Sequence, residues 1–370
     1  MNRISITLLA SVFLILGAIV CPLTSYSQFE VKPGGLLSPV ATPKPENDIF
    51  QVDGIWYKKL SSSTVAVTHD PELVPLFKYS TNDYFSPYYG MPAGSDEKFD
   101  ALIVITYKGE IVIPEHIIYK GQNFKVTEIG ERAFSRSRIK SVTLPKTIEN
   151  IRNAAFESTE IASINLPESI TSIGEEAFSN CYELESINIP DSIILISSNL
   201  FYECLSLKSV TIPSSVSTIE PRAFTWCKNL TSVSIPNSVT SIGSDVFMSC
   251  KSLTSVSIPN SVTSIGSGLL WGCESLSSIS IPNSVTSIGN DAFRECSGLT
   301  SISIPNSVTS IGNDAFRECS GLTSISIPNS VTSIGEDTFS DCSNLKTATI
   351  PTKLKIGEDT FPSTTKIIRR

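Results

Sequence analysis

Tandem copies of one 23-residue unit constrain this chain more than any other feature. Residues 278–312 recur without change at residues 301–335, so this stretch of 35 residues overlaps a copy of itself after a shift of 23. An Ile-Pro or Leu-Pro pair marks the period, and its prolines are Pro145, Pro167, Pro190, Pro213, Pro236, Pro259, Pro282, Pro305, Pro328 and Pro351. A period of this length is typical of solenoids and other repeat arrays. The sequence therefore predicts about ten stacked units.

Bulk composition bears mainly on the kind of partner. The chain has 370 residues and a formal net charge of −8 at pH 7. Recognition of nucleic acid needs a basic surface, so we expect no nucleic-acid partner. A negative charge of this size indicates solubility and nothing more specific.

The first 27 residues have the composition of an export signal. Arg3 is the only charged residue before Glu30, residues 4–20 are nearly all apolar, and the small residues at 25–27 precede Gln28. Three outcomes fit this pattern: cleavage before Gln28, lipidation at Cys21, or retention of the segment as a short membrane anchor. Each places the repeats outside the cytoplasm, secreted or at the cell surface, with membrane contact only through the signal or a lipid.

Two non-repetitive stretches separate this signal from the array. Residues 28–48 contain four prolines and two glycines without periodicity, which is typical of a linker. Residues 49–125 contain short alternating runs, among them 101–106 and 110–114, that predict β-strands joined by turns. Because a solenoid exposes apolar side chains at its end unless something covers them, this block is predicted to be a β-rich N-terminal cap. A separate binding module is the alternative.

One unit, residues 230–252, shows how the repeat should fold. Apolar residues alternate with serines over 230–235, which predicts a short strand with one buried face. Pro236 ends that strand, and a second extended run follows at 239–242. Residues 245–250 are too few for an isolated helix and predict a single helical or 3₁₀ turn. The slot of Gly243 holds other residue types elsewhere, so no positive φ is expected there.

A column of phenylalanines indicates that the units stack on one another. One slot of the repeat holds Phe134, Phe156, Phe178, Phe201, Phe224, Phe247, Phe293, Phe316, Phe339 and Phe361, interrupted only by Leu270. A single unit has too few apolar side chains to fold alone, so neighbouring units must share one continuous core. This column is expected to be structural, with no cofactor role.

The pattern Leu-x-x-Ile-x-Ile-Pro-x-x-Val-x-x-Ile-Gly-x-x-Ala-Phe-x-x-Cys resembles the BspA-like (Treponema-type) leucine-rich repeat. The resemblance implies a curved leucine-rich repeat solenoid over residues 126–370, including a C-terminal cap. Its parallel β-sheet would lie on the concave side, and short strands with short helical or 3₁₀ turns on the convex side. Members of that family are cell-surface or secreted proteins of host-associated microbes, and some adhere to host matrix proteins or to other cells.

Eight cysteines recur with the same period: Cys181, Cys204, Cys227, Cys250, Cys273, Cys296, Cys319 and Cys342. No Cys-x-x-Cys or Cys-x-x-His spacing occurs, so no metal site is predicted. A ladder of buried thiols is one explanation. Disulfides between neighbouring units are the other, since adjacent strands lie within bridging distance and export is oxidising.

Catalytic chemistry has few candidates in this chain. His69 and His116 are the only histidines, both lie outside the repeats, and no nucleophile or phosphate-binding motif accompanies them. Carboxylates after the Ile-Gly slot predict an acidic ridge that attracts cations weakly or is merely a solvated edge: Glu175, Glu176, Asp245, Asp291, Asp314, Glu336, Asp337, Glu358 and Asp359. We therefore predict no enzyme and no cofactor.

Two outward-facing columns of small polar residues form the candidate binding face: Ser209, Thr211, Ser232, Ser234, Ser255, Ser257, Ser278, Ser280, Ser301, Ser303, Ser324 and Ser326. Hot spots usually contain Trp, Tyr or Arg, so each contact on this face is expected to be weak, and repetition to raise avidity. Small solvated residues without a binding role are the alternative. A second candidate patch combines Tyr182, Tyr202 and Trp226 in the less regular N-terminal half.

These features predict a non-catalytic repeat scaffold for adhesion or protein–protein interaction. The partner would be a macromolecule, a host matrix or surface protein. A carbohydrate-binding surface protein is an alternative function. A structural spacer with a variable number of repeats is another, since neighbouring units are nearly identical.

Overall fold

The computed structural model describes residues 28–31, 37–40, 49–53, 55–68 and 107–370. The repeats form a parallel β-solenoid of about 11 turns with one unit per turn, and a small mixed sheet precedes them. The predicted export signal, residues 1–27 with Cys21, lies outside the described residues, as does His69. Within the described ranges no helix has the length and apolarity needed to cross a membrane.

The strands are, in chain order, β1 (Gln28–Val31), β2 (Leu37–Val40), β3 (Ile49–Val52), β4 (Ile55–Lys59), β5 (Thr64–Thr68), β6 (Lys108–Val112), β7 (His116–Tyr119), β8 (Gln122–Ile129), β9 (Arg138–Thr143), β10 (Asn150–Ile151), β11 (Ser163–Ile164), β12 (Ser172–Ile173), β13 (Ser186–Asn188), β14 (Leu195–Ile196), β15 (Ser209–Thr211), β16 (Thr218–Ile219), β17 (Ser232–Ser234), β18 (Ser241–Ile242), β19 (Ser255–Ser257), β20 (Ser264–Ile265), β21 (Ser287–Ile288), β22 (Ser310–Ile311), β23 (Ser324–Ser326), β24 (Ser333–Ile334), β25 (Thr347–Ile350) and β26 (Lys366–Arg369). Hydrogen-bonded turns connect them, and none of the described residues is helical.

Each unit contributes its first strand to a parallel sheet on the concave side. This concave sheet contains β6 and β9, then β11, β13, β15, β17 and β19, and finally β23, β25 and β26. Its register advances by one unit at a time, so Ser232 lies beside Ser255 and Ser234 beside Ser257. Val233 is buried between the two exposed serines of its strand because successive side chains of a strand alternate between its faces.

The concave sheet is interrupted between β19 and β23. Residues 278–280 and 301–303 keep the outward serines, but their contribution to the ladder is an isolated bridge between Ser280 and Ser303. Ile279 and Ile302, the inward residues there, are only partly buried, whereas Val256 and Ile325 in the flanking strands are buried.

A second parallel sheet runs along the next side of each turn. It is formed by β8, β10 and β12, then β14, β16 and β18, and then β20, β21, β22 and β24. Pro236 ends the concave strand of its unit, and the turn after it closes with a 3.0 Å hydrogen bond from the Val239 N–H to the Pro236 carbonyl oxygen. The same closure recurs at every repeat proline from Pro145 to Pro351.

Turns rather than helix fill the third side, which we call the turn face. Every unit from residue 132 to 341 has two residues in the left-handed region there, four positions apart: Arg132/Arg136, Ala154/Ser158, Glu176/Asn180, Asn199/Glu203, Arg222/Trp226, Asp245/Ser249, Gly268/Gly272, Asp291/Glu295, Asp314/Glu318 and Asp337/Asp341. Residues with positive φ interrupt a right-handed helix, so consecutive turns replace the predicted helical or 3₁₀ turn. The glycine of the Ile-Gly slot, such as Gly243, does not have a positive φ, as predicted.

Backbone N–H groups on the turn face alternate between two kinds of acceptor. The N–H of Cys250 bonds within its own unit, to the Phe247 carbonyl oxygen at 3.2 Å. The N–H of Phe247 itself bonds to the Leu269 carbonyl oxygen of the following unit at 3.0 Å. The turns therefore join neighbouring units as a sheet ladder does.

The core is a continuous column under all three sides. Every phenylalanine of the repeat slot is buried, and consecutive rings stack with centroids 5.0–5.9 Å apart. The column is broken where Leu270 separates Phe247 from Phe293, and Leu270 is itself buried. The predicted structural spine is thus present.

The N-terminal block closes the first end of this column. The second sheet continues past β8 through β5, β4 and β3, so these strands extend the solenoid at that end. The ring of Tyr107 meets that of Phe134 edge-on at 5.0 Å, and Phe50 stacks on Tyr119 at 3.9 Å. β6, which lies within the predicted cap, already pairs in parallel with β9 and so supplies the first concave strand.

Candidate binding surfaces

The predicted binding face is present as two exposed columns on the concave sheet. All twelve residues, from Ser209 and Thr211 to Ser324 and Ser326, are exposed. The register brings each serine beside its equivalent in the next unit wherever the ladder is continuous. The face therefore presents hydroxyl groups at the spacing of adjacent strands, about 4.8 Å.

The ends of these columns differ from their middle. One column begins at Glu110, beside Ser141, and ends at Lys366, beside Thr347. The other begins at Val112, which is 67% exposed, and ends at Ile368, which is 41% exposed. Sequence analysis missed these residues because they replace the Ser/Thr pattern that identified the columns.

The aromatic patch lies on a different side of the solenoid from the serine columns. Tyr182, Tyr202 and Trp226 come from three successive units and occupy the turn face and the corner after it. All three are half-buried. The sequence thus predicted two candidate surfaces, and the fold separates them.

Polar groups surround this patch. The hydroxyl of Tyr182 donates to Oδ1 of Asn180 at 3.3 Å, and the N–H of Asn180 donates to the Tyr202 carbonyl oxygen at 2.7 Å. Lys228 Nζ lies 4.7 Å from the ring centroid of Trp226, a cation–π distance. Aromatic rings with polar groups at their edges suit amphipathic ligands such as sugars or peptides.

The eight repeat cysteines are free and buried. Each thiol donates to the carbonyl oxygen of the residue in the phenylalanine slot of the preceding unit; Cys204, for example, donates to Phe178 at 3.1 Å. The same slot holds Thr159 one unit before Cys181, and their side chains lie 3.4 Å apart. The structure thus has the ladder of buried thiols rather than disulfides.

Burial makes these thiols poor nucleophiles. It raises the pKa of Cys181 to about 11 and those of Cys296 and Cys342 to about 12. The pKa values of the other repeat cysteines are raised for the same reason. A thiol reacts as its thiolate, so the folded ladder is chemically inert at neutral pH.

A shallow groove of about 510 Å³ runs beside the cysteines of the later units, lined by Glu274, Glu295, Ser297, Glu318, Ser320 and Asp341. Its carboxylates are paired with neighbouring cations. Lys251 lies 2.7 Å from Glu274, and Arg317 lies 3.7 Å from Glu318 and 3.4 Å from Asp341. These pairs satisfy the charges of the groove within the protein.

The predicted acidic ridge is a different set of residues and sits on the turn face. Asp291 and Asp314 occupy its first left-handed position, and each accepts a 3.2 Å ion pair from the arginine three residues later, Arg294 or Arg317. Glu176 is more shielded, and burial together with the nearby Glu157 raises its pKa. The ridge is therefore partly neutralised rather than a row of free carboxylates.

Catalytic and metal-binding constellations are not evident in the described ranges. Across residues 49–53, 55–68 and 107–370, no group of three or more His, Cys, Asp or Glu side chains is placed to hold a metal ion. His116 is exposed on β7. What the molecule offers is surface.

An apolar pair also interrupts the exposed side of the second sheet. Ile194 is 64% exposed and Leu195 36% exposed, in slots that hold threonine or serine in most other units. Sequence analysis did not single them out, although the departure from hydroxyl side chains was visible there.

Comparison with known proteins agrees with this architecture. A family model described as the BspA type leucine rich repeat region matches residues 118–231, 149–277, 218–299 and 270–369, more than half of the chain. No curated protein sequence matches.

Solved structures share the fold at low sequence identity. A leucine rich cell surface protein from Faecalibacterium prausnitzii A2-165 is 24% identical, with 89% of this chain and 96% of that chain covered and a TM-score of 0.51. The pneumococcal vaccine antigen PcpA is 21% identical, with 87% of this chain and 93% of that chain covered and a TM-score of 0.56. Both likenesses support the solenoid architecture.

Proposed function

The chain belongs to the BspA-type leucine-rich repeat family, and from that premise we propose that it is a non-catalytic adhesion scaffold, displayed at the cell surface or secreted. Its partner is a macromolecule, a host matrix or surface protein, that docks on the solenoid. The predicted export signal supports the location, and the printed descriptions of the similar structures concern a cell-surface protein and a vaccine antigen.

The observation that carries this proposal is the exposed concave face. Its two columns present small hydroxyl side chains with few charges between Ser209 and Ser326. The strands beneath them are fixed by an in-register ladder over β11–β19 and again at β23–β26, so the face is preorganised. Preorganised surfaces lose little conformational entropy when they bind.

Repetition decides how such a face gains affinity. A serine contact is weak by itself, since strong hot spots are usually Trp, Tyr or Arg. A partner with its own repeated structure engages many equivalent sites, and each further contact is effectively intramolecular. The proposal therefore favours extended, repetitive partners over small ligands.

A paired set of variants tests the proposed face. Binding of the purified chain to a panel of immobilised extracellular-matrix proteins is measured for the double variant Ser232→Arg, Ser255→Arg on the concave sheet. The matched control is Ser241→Arg, Ser264→Arg, which changes two exposed serines of the second sheet. We expect the concave variant to lose at least about tenfold in affinity and the control to bind normally. Equal effects, or no binding by the unmodified chain, would contradict the proposal.

Carbohydrate binding is a second candidate, and the aromatic patch favours it. Tyr182, Tyr202 and Trp226 are brought together by stacking, with the amide of Asn180 and the ammonium of Lys228 at their edges. An apolar platform with a few placed polar groups is the usual form of a small-ligand site. This candidate uses the turn face, so it is separable from the concave face by mutation.

A further inference from the structure

The concave sheet has an unpaired edge at each end of the described array. β6 pairs with β9 on one side, and β26 pairs with β25 on one side. Within residues 107–370 no strand lies against the outer edge of either. Such edges present free backbone N–H and C=O groups that can accept a further strand.

The two edge strands occupy equivalent positions of the repeat. Glu110, Ile111 and Val112 pair with Ser141, Val142 and Thr143 of the next strand. Lys366, Ile367 and Ile368 pair with Thr347, Ala348 and Thr349 of the strand before. Since the same columns run through all these strands, each residue of one end has a counterpart at the other.

The counterparts are complementary in charge and polarity. The first column has an exposed carboxylate at Glu110 and an exposed ammonium at Lys366. The second has the exposed aliphatic side chains of Val112 and Ile368. Between them, Ile111 and Ile367 face the core but remain only partly buried, as expected of residues that lack a neighbour on one side.

The two ends also carry complementary half-turns. β5 extends the second sheet one strand beyond β8, and no concave strand within the described residues accompanies it. β26 is a concave strand with no second-sheet strand after it. One end thus lacks what the other has in excess.

From this register we propose that copies of the chain associate head to tail, with β26 of one copy adding in parallel to the edge of β6 of the next. The partner of this surface is a second copy of the chain. Lys366 then lies beside Glu110, Ile367 beside Ile111 and Ile368 beside Val112, and β26 together with β5 completes one turn of a continuous solenoid. This inference does not depend on the proposed adhesion function.

The joint is heterologous, so its product is a filament and not a closed dimer. The surface used on one copy differs from that used on the other, and such contacts propagate unless a rotation closes them. Symmetric pairing is disfavoured because antiparallel pairing of β26 with itself sets Lys366 opposite Arg369, both positive. The hairpin of β3 and β4 then lies alongside residues 352–356 of the neighbour, which form no strand.

Engineered cysteines read out this register directly. Val112→Cys and Ile368→Cys in one chain place two thiols on adjacent parallel strands about 4.8 Å apart, within the Cα separation that a disulfide spans. The buried repeat thiols do not interfere because they are inaccessible in the folded state. Mild oxidation followed by non-reducing electrophoresis is expected to give a ladder of dimers, trimers and higher species.

Two controls make the outcome decisive. Each single variant, Val112→Cys or Ile368→Cys, can yield no species larger than a dimer through the new thiol, and both also account for Cys21. The pair Lys108→Cys, Ile368→Cys shifts one thiol four residues along β6, roughly 13 Å, and is expected to give at least tenfold less ladder. A ladder of equal intensity from this offset pair would overturn the register, and no ladder from the matched pair would overturn the joint.

Charge reversal supplies a second readout without cysteines. Sedimentation of the unmodified chain is expected to show a mean mass that rises with concentration, and Glu110→Lys to weaken association at least tenfold. Adding Lys366→Glu to that variant restores the opposite charges and is expected to return the affinity to within about threefold. Association that ignores Glu110→Lys, or a double variant that is no better than the single one, would refute pairing of these two residues.

Discussion

The thiol of Cys250 donates a 3.2 Å hydrogen bond to the carbonyl oxygen of Phe224, one unit earlier in the array. The same oxygen also accepts the N–H of Cys227 at 3.2 Å. The cysteine column therefore joins units through a side chain, in addition to filling the core. This explains why a hydroxyl residue, Thr159, replaces cysteine in an early unit.

Removing one thiol should weaken the array measurably. Cys250→Ala loses the bond to Phe224 and leaves a small cavity, so we expect the free energy of unfolding to fall by about 1–3 kcal/mol. Cys250→Ser keeps a donor of nearly the same size and should lose less. Urea unfolding of both variants checks this, and a serine variant less stable than the alanine variant would show that apolar packing outweighs the hydrogen bond.

Alkaline pH should destabilise the fold through the same column. Burial raises the pKa of Cys181 from 9.0 to about 11, so the folded state keeps a proton that the unfolded chain releases above pH 9. Stability from this group is therefore full below pH 9 and falls as the pH rises toward 11, by up to about 1.4 kcal/mol per pH unit for each thiol.

Urea unfolding between pH 8 and 10.5 measures this slope. Tyrosine and lysine also titrate in that range, so the comparison is with Cys181→Ala, which should show a shallower fall. Parallel slopes in the two proteins would mean that Cys181 is not protected from ionisation in the folded state.

The phenylalanine column should tolerate leucine better than alanine. Phe224 is buried and stacks between Phe201 at 5.4 Å and Phe247 at 5.6 Å. Phe224→Ala should cost about 3–5 kcal/mol because of the cavity that it leaves. Phe224→Leu should cost clearly less, since Leu270 already fills this slot in another unit. Equal losses in thermal unfolding would mean that ring stacking, and not volume, dominates.

The left-handed positions predict an unusual substitution pattern. Ser249 has a φ of 58°, and the equivalent residue one unit later is Gly272. Ser249→Gly should change stability by no more than about 1 kcal/mol, because glycine adopts this conformation freely. Ser249→Val should cost at least 1–2 kcal/mol more, since a β-branched side chain is strained there. A valine variant as stable as the glycine variant would contradict the assigned backbone.

The aromatic patch can be tested separately from the concave face. Trp226→Ala and Tyr202→Ala are expected to abolish any signal on a glycan array while leaving matrix-protein binding intact. The matched variant Trp271→Ala removes a half-buried aromatic residue elsewhere on the turn face, held by a 3.0 Å hydrogen bond to Glu295. Loss of glycan binding in that variant too would point to a general effect on the fold.

Residues that recur with the period made much of this fold predictable. The prolines and phenylalanines repeat closely enough to predict one coil, and the alternation of Val233 with its flanking serines predicted which face is buried. The left-handed slots escaped because Asp245 and Ser249 are not glycine, although Gly268 and Gly272 in the next unit marked both.

Irregular residues account for what the sequence could not predict. β6 joins the concave sheet through Glu110 and Val112, which do not follow the repeat, so only the pairing with β9 reveals their role. The groove beside Glu295 and Glu318 depends on which corner residues of successive units come together, and spacing along the chain does not specify that.

The gap in the concave ladder at residues 278–280 and 301–303 has a mechanical consequence. When the coil is pulled along its axis, the backbone bonds of all three sides share the tension in the earlier units. At the gap, the second sheet and the turn face carry most of it, through contacts such as the 2.8 Å bond from the Phe293 N–H to the Ala315 carbonyl oxygen. Under shear, this section should stretch before its neighbours do, as a compliant link within an otherwise stiff rod.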